Sequence, residues 1–318
     1  MGKNLAFLFP GQGAQYVGMG REFYERFSVA RETFQEAEDQ LKRPLSRLVF
    51  EGPLSELTLT KNSQIAIYVV SVAILKVIQQ QFCGLQPSVC AGLSLGEYSA
   101  LTGSKRLVFA DGVGLVDARG MCMHQASIRS PGTMAVCLNA SVDLVERTVS
   151  GVCKKHPVWV ANLNCPGQIV ISGTHKGIDL VSEELKMKGV KRILPLDVSG
   201  AFHSGLMQEA REHLEKKITA VPIQSSAIGV VLNVSGNYVD DIATLRQSLI
   251  DQIVSPVLWE KSIRRITESQ IELFVEIGCG RSLSQMNRRI GITSPTLSVE
   301  KVGDLEALAK AISATPQQ

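Results

Sequence analysis

Apolar runs of strand length alternate with segments of helical period along most of this 318-residue chain, and no other feature restricts its fold as much. Strands connected through helices pair in parallel, so the alternation predicts an α/β protein built on a parallel sheet. Leu5–Phe9 reads as a strand, followed by helices near 20–41 and 64–82. Ser88–Gly92 reads as a strand, with helices near 94–103 and 111–128 after it. Further on, strands at 228–234, 272–278 and 296–299 are accompanied by helices near 241–253, 259–268, 282–290 and 304–314.

The middle of the chain has a different order. Strand (134–138), helix (142–155), strand (158–163), strand (168–172), helix (175–188) and strand (190–196) follow one another, the βαββαβ order of a ferredoxin-like unit. Pro131-Gly132 precedes the unit and Ser199-Gly200 follows it, both suited to boundaries. The expectation is a small domain, 130–198, inserted into a large α/β domain formed by 1–129 and 199–318.

Composition sets outer limits. Hydrophobic residues make up 45% and charged residues 20%, as in a soluble globular enzyme. Seven cysteines form no C-x-x-C pair and read as buried reduced thiols of a cytoplasmic protein. The N-terminus is too short in apolar residues for a signal peptide, and Ala6 breaks the myristoylation pattern. Ile65–Ile78 is the most apolar segment, but Ser71 and Lys76 interrupt it, so it reads as a core helix and no membrane partner is expected. A net charge of +3 does not call for nucleic acid. The biased stretches are Gln79–Gln81 and the terminal Pro316-Gln317-Gln318.

Gly92-Leu93-Ser94-Leu95-Gly96 fits G-x-S-x-G directly after a strand and before a helix, the setting of a nucleophile elbow. There the helix N-terminus offers N–H groups to a developing oxyanion. A serine that merely caps a helix after a glycine turn is the plain alternative. A serine hydroxyl needs a base, and the chain has five histidines. His124, His156, His175 and His213 lie in helical or charged surroundings. His203 alone sits in a small-residue, non-helical stretch, Ser199-Gly200-Ala201-Phe202-His203-Ser204-Gly205, where α/β folds place functional side chains. No histidine follows position 213, which disfavours an ordinary esterase with its late histidine. Phe9-Pro10-Gly11-Gln12-Gly13 ends the first strand in a loop able to approach a ligand closely. Neither a Walker A sequence nor G-x-G-x-x-G is present.

Pro-Gly-Gln-Gly-Ala-Gln near the start, Gly-Leu-Ser-Leu-Gly-Glu-Tyr-Ser-Ala at 92–100, Asn-Cys-Pro-Gly-Gln-Ile-Val-Ile-Ser-Gly at 164–173 and Gly-Ala-Phe-His-Ser at 200–204 together resemble the malonyl-CoA:acyl carrier protein transacylases of bacterial type II fatty acid synthesis. The resemblance implies an α/β-hydrolase-like core with a ferredoxin-like insert. It implies Ser94 as the acyl-accepting nucleophile and His203 as base and acid. Gln252 would orient the histidine through its backbone carbonyl, and the N–H groups of Gln12 and Leu95 would form the oxyanion hole. Arg119 would bind the malonyl carboxylate, which suits a planar guanidinium; without the resemblance it reads as a surface arginine on an amphipathic helix. Asn164 and Phe202 would contact substrate, with Phe202 pointing to malonyl over methylmalonyl. No metal and no bound cofactor are implied; malonyl-CoA is a substrate. The family usually has histidine where this chain has Leu93, from which a modest effect on packing or rate is expected.

Acyl carrier protein, the implied partner, is acidic, and Lys191 with Arg192 or Arg288 with Arg289 are candidates to meet it. A thioesterase using the same elbow and a carrier-binding module without activity are the rivals. A start just before the first strand and an end soon after the last helix lead to the expectation of a free-standing enzyme.

Overall fold

The computed structural model describes residues 3–313, so Met1, Gly2 and the biased Pro316-Gln317-Gln318 lie outside the described residues. Strand β1 (Leu5–Phe9) is followed by five helices: α1 (Arg21–Arg26), α2 (Ser28–Leu41), α3 (Leu45–Glu51), α4 (Leu54–Thr58) and α5 (Thr60–Gln81). β2 (Val89–Gly92) leads into α6 (Gly96–Gly103) and α7 (Phe109–Arg129). The central segment is β3 (Thr133–Leu138), α8 (Val142–Val152), β4 (Val158–Cys165), β5 (Gln168–Gly173), α9 (His175–Met187) and β6 (Arg192–Pro195). A 3-10 turn, Gly205–Met207, opens α10 (Gln208–Ala220), then come β7 (Gly229–Leu232), β8 (Asn237–Tyr238), α11 (Ile242–Gln252) and α12 (Trp259–Thr267). β9 (Leu273–Ile277), α13 (Ser282–Ile290), β10 (Thr296–Val299) and α14 (Asp304–Ser313) complete the described chain.

Two sheets organise these elements. The six-stranded sheet runs β10-β9-β1-β2-β7-β8, parallel except for the β7–β8 hairpin at its edge. The four-stranded sheet runs β4-β5-β3-β6 and is antiparallel throughout. β1 and β9 are buried along their whole length because helices cover both faces of a parallel sheet, which accounts for their unbroken apolar runs. β4 forms an edge of the small sheet, but Val257 occupies its free side: Val257 N–H donates to Ala161 O at 2.8 Å and Leu163 N–H to Val257 O at 2.9 Å. The small sheet is thereby tied by backbone bonds to the segment between α11 and α12.

Helix α5 has the length and composition of a membrane span, yet 89% of its most apolar window is buried inside the protein. It is the central core helix, packed against α2 and α7.

Several sequence expectations need correction. The single helix expected near 20–41 breaks at Phe27, whose extended backbone (φ −124°, ψ 125°) separates α1 from α2. α3, α4 and β8 are too short to leave a periodic signal. The helix expected from 94 begins at Gly96, because Ser94 has left-handed backbone. Of the seven cysteines, Cys83 and Cys153 are exposed and Cys122 is half-buried, so only the other four are buried thiols.

Candidate active site

β2 ends at the C-terminal edge of the large sheet, where its chain reverses into α6. Ser94 sits in the turn at φ 52°, a conformation that costs a non-glycine residue of order 1 kcal/mol or more. Crowding explains the two glycines. A Cβ on Gly92 would lie 1.9 Å from the Gly96 carbonyl, and one on Gly96 would lie 2.1 Å from Phe9 O. The β1 loop closes from the other side, where a Cβ on Gly11 would meet Leu93 O at 2.4 Å. The elbow is secured from β7 by Asn233, at the end of that strand. Asn233 Oδ1 accepts the Ser94 N–H at 2.6 Å and its Nδ2 donates to Gly92 O at 2.7 Å. Asn233 carries no motif, and sequence reasoning missed it.

Ser94 Oγ lies 2.8 Å from His203 Nε2, and His203 Nδ1 lies 2.8 Å from the backbone oxygen of Gln252. Gln252 is the last residue of α11. Terminal helix carbonyls lack partners within the helix and carry the negative end of its dipole. One of them therefore takes the place that an aspartate fills in other serine–histidine pairs. Burial, reinforced by the Arg119 guanidinium, pushes the His203 imidazole down to about 4. It stands neutral near pH 7, with Nε2 free to take a proton once Nδ1 is donating to Gln252.

Arg119 is not on the surface, as its sequence setting alone suggested. It is 1% exposed on α7, because that face of α7 packs on α5. Its guanidinium donates to Gln64 Oε1 at 2.6 Å, to Gln252 Oε1 at 2.8 Å and to Ser94 Oγ at 3.1 Å, and it lies 5.5 Å from the Tyr98 ring centroid. All three acceptors are uncharged, and Nε has no partner among the described residues. A buried cation without a directly bonded anion is costly, so an incoming carboxylate is strongly favoured at this position.

The side chain of Gln252 also donates, from Nε2, to Ser94 O at 3.0 Å and to Glu97 Oε2. The remaining Glu97 oxygen, Oε1, accepts the Asn233 N–H at 2.6 Å. Burial pushes this carboxyl up to about 8, against the opposing effects of its hydrogen bonds and of Arg119.

A cavity of about 250 Å³ opens beside Ser94, lined by Gln12, Leu93, Arg119, Asn164, Phe202 and His203 among others. The N–H groups of Gln12 and Leu95 donate to no protein acceptor among the described residues. Leu95 is the N-cap of α6, a position whose N–H has no carbonyl to meet within the helix. Asn164 is 5% exposed and its Oδ1 has no partner among the described residues. Phe202 forms an apolar wall next to His203. Leu93 packs against a cluster that includes Val257, Trp259 and Leu283, in which the buried Trp259 Nε1 has no hydrogen-bond partner among the described residues. Lys191, Arg192, Arg288 and Arg289 are all exposed; Arg289 approaches Gln168 Oε1 at 3.4 Å. Among the described residues no three His, Cys, Asp or Glu side chains gather as a metal-ligand set.

Residues 6–307 match the acyl transferase domain family. The malonyl CoA-acyl carrier protein transacylase of Bacillus subtilis is 42% identical over 303 residues, which is 95% of each chain. The solved structure of the Coxiella burnetii malonyl CoA-acyl carrier protein transacylase superposes with a TM-score of 0.94 at 33% identity, covering 99% of both chains. A malonyl-transacylase solved in complex with its type II PKS acyl carrier protein superposes at 0.92 with 34% identity, over 97% of this chain and 99% of that one. With an acyl transferase match over nearly its whole length and relatives this close, the chain belongs to the acyl transferase domain family and, within it, to the malonyl CoA-acyl carrier protein transacylases.

Proposed function

We propose that the chain transfers the malonyl group of malonyl-CoA to the phosphopantetheine thiol of acyl carrier protein, through a malonyl-Ser94 ester, and so supplies malonyl carrier protein for fatty acid synthesis. One observation carries the reading. Ser94 Oγ lies between a neutral histidine nitrogen at 2.8 Å and a buried guanidinium at 3.1 Å, a nucleophile flanked by a base and a carboxylate receptor.

In the first half-reaction His203 Nε2 takes the Ser94 proton as Oγ attacks the thioester carbonyl. The N–H groups of Gln12 and Leu95 receive the oxyanion. His203 returns the proton to the departing CoA sulfur, and the C–S bond breaks. The second half-reaction runs the same steps with the carrier thiol as nucleophile, so protons and electrons balance without a resident metal or cofactor. Throughout, Arg119 grips the malonyl carboxylate, Asn164 Oδ1 accepts an N–H of the pantetheine arm, and Phe202 limits the space at the acyl α-carbon. Acetyl groups would leave the buried guanidinium without its anion, which disfavours them.

The two-sheet arrangement supports an α/β-hydrolase-like domain, 1–129 and 199–318, carrying a ferredoxin-like insert, 130–198. The spatial order of the small sheet, β4-β5-β3-β6 with all pairs antiparallel, supports the latter. The substrates are those of a cytoplasmic enzyme. Intact-mass measurement after incubation with malonyl-CoA tests the central step: the wild-type chain should gain one malonyl group and Ser94→Ala none. Labelling of the variant would reject the assignment.

A further inference from the structure

Glu97 is a buried acid that the mechanism above does not use. It is 1% exposed, lies beneath the elbow, and joins Arg119 through one intervening side chain: Gln252 donates to Glu97 Oε2 and accepts from Arg119 Nη2 at 2.8 Å. The charged or titratable groups that act on it are Arg119, from α7, and the Tyr98 phenol on its own helix. β7 and α11 contribute only the uncharged Asn233 and Gln252. His203 feels the charge of Arg119 and meets the backbone oxygen of Gln252, whose side chain reaches Glu97.

Arg119 with an ionised Glu97 is neutral, and an arriving malonyl carboxylate then leaves one uncompensated negative charge, which is expensive away from water. Arg119 with a protonated Glu97 is a lone cation, and the same carboxylate completes it. A neutral acyl group has no such preference.

We propose that Glu97 is a specificity-determining residue: its carboxylate competes with the malonyl carboxylate for the single positive charge of Arg119, so malonyl is admitted with Glu97 protonated. The proposal rests on the malonyl-Ser94 reading. Two groups share one counter-charge, and malonyl entry and a proton on Glu97 therefore favour each other. The sign follows directly. The preference for malonyl over acetyl loading is full below the range in which Glu97 ionises in the free protein and weakens as pH rises through it.

The test is the ratio of malonyl to acetyl loading of Ser94 between pH 7 and 9.5, read by mass spectrometry from malonyl-CoA and acetyl-CoA at equal concentration. Titrations of His203 and of the CoA thiol act on both acyl groups and cancel. The ratio should fall with rising pH, by up to about tenfold per pH unit, and should become flat in Glu97→Gln. Proton uptake by the wild-type chain provides a second measurement that needs no variant. At pH 8.5 malonyl loading should take up more protons than acetyl loading. A flat wild-type ratio, an unchanged slope in Glu97→Gln or equal proton counts for the two acyl groups would overturn the proposal. Failure of the underlying reading is distinguishable, since then neither acyl group would label Ser94.

Discussion

Asn233 holds Ser94 from the neighbouring strand, accepting the serine N–H at 2.6 Å while it donates to Gly92 O at 2.7 Å on the other side of the turn. Asn233→Ala would leave the buried Gly92 O and the part-buried Ser94 N–H without this partner, at about 1–3 kcal/mol for the buried group. The expected result is a lower denaturation midpoint together with slower malonyl-enzyme formation. Affinity for malonyl-CoA should change little, because Asn233 makes no contact with Arg119. Single-turnover acylation and a binding titration separate the two effects.

Arg119→Ala should lower malonyl loading on the order of 100-fold or more, since charge-assisted hydrogen bonds contribute roughly 1.5–3 kcal/mol each. Acetyl loading should fall far less. An unchanged malonyl-to-acetyl ratio, measured by competition between the two thioesters, would remove Arg119 from the carboxylate role.

His203 is held down to about 4 by burial first and by Arg119 second, and its neutral form is the base proposed for acylation. Acylation should therefore persist through pH 5–6 and be lost as pH falls through about 4, well below the usual histidine range. Arg119→Ala removes one of the two causes and should move the acid limb of acetyl loading upward. Stopped-flow pH profiles of both proteins check this.

Acyl carrier protein should read exposed cations, and Lys191, Arg192, Arg288 and Arg289 all face solvent. Reversing Lys191 with Arg192, or Arg288 with Arg289, to glutamate should raise the KM for carrier protein several-fold and more steeply at low salt. Slow hydrolysis of malonyl-CoA in the absence of carrier protein should be unaffected. Equal effects on both reactions would show that the pair acts on the pocket instead of the partner.

How much of this could be read from the sequence depends on how locally each feature is encoded. The elbow is encoded within five residues, because Gly92 and Gly96 are required by contacts that the turn itself creates. His203 stood out from the other histidines by its small-residue surroundings. Arg119 could not be placed from its own helix, since its burial is decided by α5, which begins at residue 60. Asn233 and the side chain of Gln252 meet the elbow across 139 and 158 residues respectively, with no spacing rule to announce them. Glu97 was visible as part of the motif, but its charge state depends on partners from β7, α7 and α11. The breaks around Phe27 and the short helices α3 and α4 reflect packing around α5 that leaves no period in the local sequence.

The bonds from Val257 to Ala161 and Leu163 carry a lesson for engineering by fragment exchange. Residues 255–258 lie just past the carbonyl that orients His203, yet they complete the edge of the small sheet. A transplant that moves only the small sheet and its two helices from a relative with other acyl tastes would leave that edge bare and detune the histidine support at the same time. The transferable cassette is discontinuous: it takes the segment around Val257 along with the insert, and Gln252 marks where the host begins.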